Sequence, residues 1–206
     1  MKKSLLLAAL MGFQMLTFGQ GMMNWNNTFA TLITDGTLGS PMPFRVSPQT
    51  TYYFGLFIAP YGTPAPLPGF PGIHDPNWQN VVSYTMNSTA PGGVGRFENP
   101  GVTAIPGYAP GETVSFVIRG WHSSAGGADW ETAKFGLSPA NYGQSHLGFG
   151  PIGGGMYPVW SAFGNLDEPY GKQINGFIIG IPEPTSLTLS GLGAALCFVF
   201  CQRKRE

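Results

Sequence analysis

The chain has 206 residues and a mass of 22.0 kDa, and its ten basic residues balance ten acidic ones. Only 10% of the residues are charged, against about 25% in an ordinary soluble protein, while 31 Gly and 19 Pro fill roughly a quarter of it. These figures exclude a strongly basic nucleic-acid binder and an acidic disordered tail, and they disfavour a helix-rich enzyme, because Gly and Pro break helices. They fit a loop-rich, all-β exported protein.

Residues 1–19 read as a secretory signal peptide. Lys2 and Lys3 give the positive start, Leu5 to Phe18 is apolar apart from Gln14 and Thr17, and Thr17 and Gly19 are small residues at cleavage spacing. Cleavage is expected between Gly19 and Gln20. The body then shows strand-like segments. Thr28–Thr34 is rich in β-formers and ends at Asp35-Gly36, a turn signal. Thr51–Ala59 is a dense aromatic and β-branched run. Pro60–Pro76 holds six prolines, so it is a stiff loop and no central strand. Val81–Met86 and Val94–Glu98 are weaker strands. Glu112–Trp121 is the strongest: Val114, Phe116 and Ile118 alternate with Ser115, Val117 and Arg119. Trp121 ends it and should be buried. Ala128–Phe135 is the one candidate helix turn, with Asp129 as its cap. Ile174–Ile181 closes the body. Short strands with Pro/Gly punctuation predict a single immunoglobulin-like β-sandwich over residues 20–181.

The C-terminus carries a second apolar run, Leu187–Cys201, followed at once by Arg203, Lys204 and Arg205. Fifteen helical residues span about 22 Å, short of the roughly 30 Å hydrocarbon core, with Thr185, Ser186 and snorkelling cations to cover the difference. The predicted segment is a transmembrane helix through residues 187–201 with its basic end cytoplasmic. Just before it stands Pro182-Glu183-Pro184. Pro-Glu-Pro, an apolar helix and a terminal Arg/Lys cluster, in that order, resemble the PEP-CTERM sorting signal of Gram-negative bacteria, over about the last 25 residues (182–206). The resemblance implies export through the inner membrane, transient anchoring, and cutting near the motif by an exosortase-type membrane protease. It also implies a place at the cell surface or in an exopolysaccharide matrix. A second stretch, GETVSFVIRGWHSSAGGADWETA followed by YGQS within Gly111–Ser145, resembles a segment recurring in exported PEP-CTERM proteins of unassigned activity. Trp121, Trp130 and Tyr142 agree with it, whereas His122 replaces an acidic residue.

Sequences that imitate active sites fail on their context. Gly148 to Gly153 spells G-x-G-x-x-G, but Pro151 and the glycines after it deny the helix a dinucleotide fold needs. Ser145 beside His146 is no triad, since strand neighbours face opposite ways. His74, His122 and His146 lack metal-ligand spacing. Asp129 with Glu131, or Asp167 with Glu168, could hold Ca²⁺ or form a glycosidase pair, but no Ca²⁺-loop pattern surrounds them. Cys197 and Cys201, the only cysteines, sit one turn apart in the apolar tail and read as apolar filler. Within residues 20–181 five cations face eight acids, a net charge of about −3, with no basic patch for phosphate. The five tryptophans (25, 78, 121, 130 and 160) offer either a core or a sugar-stacking platform. The expectation is an exported surface or matrix protein with no catalytic activity, no metal and no cofactor. Its partners are the protease and the membrane, not nucleic acid. The alternative is a carbohydrate-binding module acting on matrix polysaccharide.

Overall fold

The computed structural model describes residues 20–180 except 29, 37–43, 47–48, 67–72, 91, 99, 155–159 and 165–170. The predicted signal segment 1–19, the segment Pro182-Glu183-Pro184, the apolar run 187–201 and Arg203, Lys204 and Arg205 lie outside the described residues, as do Asp167 and Glu168. What is described is mostly β, with eleven strands and one α-helical turn. No helix among the described residues is long and apolar enough to cross a membrane.

The largest sheet is built on two long strands, β4 (Tyr52–Pro60) and β7 (Thr113–His122), paired antiparallel along their length from Tyr52 opposite His122 to Pro60 opposite Val114. β5 (Val81–Met86) pairs with the outer side of β4, its register shifting between Leu56 and Phe57. β8 (Tyr142–Gln144) and β9 (Gly148–Pro151) share the outer side of β7. Two small sheets complete the architecture. In one, β1 (Gly21–Asn24) lies between β6 (Val102–Ile105) and β10 (Trp160–Ser161). In the other, β2 (Thr34–Asp35) lies between β3 (Phe44–Arg45) and β11 (Ile178–Ile179).

The main sheet is buried on both faces. Phe54, Leu56 and Ile58 of β4 and Val114, Phe116 and Ile118 of β7 join Met23, Trp25, Ile33, Ile105, Phe163 and Ile179 in one core, shared with the small sheets. The intervening residues Phe57, Ala59, Val117 and Trp121 join a second core, closed by Ile73, Trp78, Ala125, Trp130, Ala133 and Leu137. That second cover comes from connections, not from strands. One connection follows β4 and ends in the 3-10 turn Pro76–Trp78, capped by Asp75. The other follows β7 and includes the 3-10 turn Ser123–Ala125 and the helical turn α1 (Trp130–Ala133). Asp129 caps α1, its Oδ2 accepting from the Thr132 amide at 3.0 Å, as its position predicts.

Several local expectations are corrected. Thr28–Thr34 is a strand only at its end, because Thr31 turns back on Thr28: its amide donates to the Thr28 carbonyl and its hydroxyl accepts from the Thr28 amide. Val94–Glu98 is a turn with a single bridge at Phe97. Among the described residues of the 174–181 segment, which end at Gly180, strand pairing is confined to Ile178–Ile179. Gly148–Pro151, where no helix was expected, forms a strand, and the missing Cβ of Gly148 lets the Phe116 ring cover it.

Candidate functional site

The densest polar and aromatic chemistry lies in the second core, around Arg119. The alternation of β7 sends Arg119 to the same face as Val117 and Trp121, and its side chain is fully buried. Nη1 donates to the Trp78 carbonyl at 2.8 Å, and Nε donates to Gln144 Oε1 at 3.0 Å. The guanidinium carbon stands 4.5 Å from the Phe57 ring centroid and 5.0 Å from that of Trp130. Trp130 in turn packs against Trp121 at 5.5 Å and edge-on to Phe57 at 4.9 Å. A buried cation is tolerable only when its donors are used and its faces covered by ring π-systems. Burial lowers the affinity of this guanidinium for its proton, while Tyr142 and the charge of Asp75 act in the opposite sense.

Tyr142, buried on β8, donates its hydroxyl to the same Gln144 oxygen at 3.0 Å. Burial pushes its phenol up to about 12, against the lowering influence of Arg119. The folded state therefore keeps this proton more tightly than the unfolded chain does. The associated stability is complete below about pH 10 and is lost as pH rises from there through about 12. Thermal unfolding followed from pH 9 to 12 should show the decline. Tyr142→Phe should remove the part of it on the order of 2 kcal/mol; an unchanged pH profile would place the ionisation elsewhere.

The arrangement around Arg119 ties structure together. Its carbonyl partner belongs to Trp78, so the guanidinium fastens the proline-rich connection to the sheet. Trp78 Nε1 adds a bond to the Pro64 carbonyl at 3.0 Å, and Trp121 Nε1 donates to the Gly127 carbonyl at 2.8 Å. Trp130 Nε1 is buried with no hydrogen-bond partner among the described residues. Sequence alternation placed Arg119 on a strand face, but its burial depended on covering connections that carry no periodic signal.

The other candidates are dispersed. Ser145 is buried, accepting from the Ile118 amide at 3.0 Å and donating to the His146 carbonyl at 2.8 Å, so it ties β7 to the loop after β8. His146 reaches the Gln173 carbonyl. His122 caps a 3-10 turn through Nδ1, which accepts from the Ser124 amide. Asp75 and Asp129 are both caps, and Glu131 is paired with Lys134 at 2.5 Å. Gly148–Pro151, paired to β7, cannot open a phosphate-binding helix. Among the described residues, no group of three His, Cys, Asp or Glu side chains is placed to hold a metal.

Trp25, Trp78, Trp121 and Trp130 are all fully buried, and the side chain of Trp160 lies outside the described ones. The exposed aromatics among the described residues are Tyr61, Tyr84 and Phe135, with Tyr61 beside the Phe149 ring at 5.4 Å. Comparison with protein-family models, curated proteins and solved structures finds no match for this chain.

Proposed function

We propose that this is a non-catalytic protein of the bacterial cell surface or exopolysaccharide matrix, exported on residues 1–19 and sorted through residues 182–206. The observation that carries the reading is the three-part C-terminus: Pro182-Glu183-Pro184, the uncharged run 187–201, and Arg203, Lys204 and Arg205. Two prolines keep a segment out of regular helix, the shape a protease cleft accepts. An apolar run in lipid must satisfy its own backbone groups, which favours a helix. The cations at its end favour the cytoplasmic side. An exosortase-type protease is the partner this arrangement fits. The body fits an immunoglobulin-like sandwich, supported by the core shared between the main sheet and the two small ones.

The test is intact-mass analysis and localisation of the native protein in cells with and without the protease. The expected mature form starts near Gln20 and lacks residues 187–206 only where the protease is present. Retention of 187–206 in both would make the tail a permanent anchor and end the sorting reading. The carbohydrate-binding alternative is the weaker one, since four tryptophans are core residues. Among the described residues it is left with Tyr61, Tyr84 and Phe135, and Tyr61→Ala should abolish retention in a polysaccharide gel if it holds.

A further inference from the structure

The last described strand is seated in a slot made of bare backbone. Gly120 and Gly143 are partners across the β7–β8 ladder. A Cβ on Gly120 would come within 2.8 Å of Ile179 Cδ1, and a Cβ on Gly143 would overlap the Ile178 carbonyl oxygen. From the other side, β11 pairs in parallel with β2, Ile178 opposite Thr34 and Ile179 opposite Asp35. The Thr34 amide donates to the Phe177 carbonyl at 3.1 Å and the Gly36 amide to that of Ile179 at 2.7 Å. The Gly180 amide donates to the Tyr142 carbonyl at 3.0 Å. Gly176 has φ of +98°, and a Cβ there would overlap the Leu32 carbonyl, so glycine is needed at the entry to the slot. Ile174 and Ile179 are fully buried. In sequence, Pro182 follows Gly180 with one residue between.

We propose that residues 174–180 are a latch: their seating in the Gly120–Gly143 slot sets the C-terminal limit of the body, and a protease acting on the tail stops at or beyond residue 181. The identity of that protease rests on the sorting reading; the limit itself does not. A protease needs several residues extended and free of ladder bonds, so cutting within the latch follows the fraction of molecules in which it has opened. Seated, the latch leaves the body close to the motif. Opened, it releases the chain after Lys172, whose amide and carbonyl both bond Phe149, and lengthens the link to the tail by about 25 Å.

The experiment digests the full-length chain, held in mild detergent, with a protease that cuts before large apolar residues. Ile174, Phe177, Ile178 and Ile179 are its sites within the latch. Intact mass should show a wild-type product ending at Gly180 or later. Gly143→Val should give a product ending before Ile178, with cutting in the latch at least tenfold faster and the amides of β4 and β7 still protected from exchange. An unchanged end point and rate in this variant would overturn the latch. So would a wild-type product ending before Gly180 while β4 and β7 remain protected. Should Gly143→Val lose that protection, Ile179→Ala decides: faster cutting supports the latch and an unchanged rate overturns it. Retention of 187–206 in native cells counts only against the sorting reading.

Discussion

Replacing Trp121 with alanine should lower the unfolding free energy by about 3–5 kcal/mol, the range for deleting a large ring from a packed core. Trp121 closes the second core: its ring packs against Trp130 at 5.5 Å and edge-on to Tyr84 at 6.3 Å. Its indole N–H holds the Gly127 carbonyl, at the start of the connection that carries α1. The deletion therefore opens a cavity and also loosens the cover over it. Denaturant unfolding measures the loss, and the control is Tyr61→Ala, an exposed site expected to change stability by no more than about 0.5 kcal/mol. A loss under about 1 kcal/mol at Trp121 would mean that the connection carrying α1 does not pack on the sheet as described.

Arg119→Ala should cost about as much, roughly 3–5 kcal/mol, for a different reason. The Trp78 carbonyl loses the guanidinium donor, Gln144 Oε1 keeps only the Tyr142 hydroxyl, and the stem and planar head no longer fill the space between Phe57 and Trp130. Arg119→Lys should recover only part of the loss, because an ammonium cannot lie flat between two rings while serving two acceptors in fixed directions. Unfolding midpoints of the three proteins order them; a lysine variant as stable as the parent would remove the planar fork from the explanation. Protection of the Trp78 amide should fall in Arg119→Ala before that of β4 does, since the arginine fastens the connection and not the ladder.

The two long strands were readable, β4 from the density of aromatic and β-branched residues in Thr51–Ala59 and β7 from the alternation of Val114, Phe116 and Ile118 with Ser115, Val117 and Arg119. Asp129 was readable as a cap because it stands directly before Trp130-Glu131-Thr132-Ala133. Val81–Met86, though weaker, was readable too, but several of the shorter strands were not. β1 is Gly-Met-Met-Asn and β9 is Gly-Phe-Gly-Pro, neither with β-branched residues. Tertiary pairing makes them strands, β1 through partners on both sides and β9 through β7. Thr28–Thr34 erred the other way, since its threonine hydroxyl offered the backbone a local turn that outcompeted the ladder. The burial of Arg119 was hidden for a related reason. Alternation says which face a side chain takes, but what covers that face came from connections such as Ile73 to Trp78, where prolines suppress any pattern. The proposed sorting motif stands apart, read from the order of its three parts in the sequence and from nothing in the fold.

The placement of β10 and β11 fixes the order in which the molecule can be completed. Both small sheets join the first strands of the body to its last ones: β1 waits for β10, and β2 waits for β11. A chain emerging from its N-terminus has made residues 21–35 long before residues 160–179 exist to pair with them. The contact order is high, and loops of well over a hundred residues must close before these pairings return any free energy. Such a body folds late and slowly. Under the export we propose, that delay leaves β1 and β2 without β10 and β11 until almost the whole body has passed the membrane.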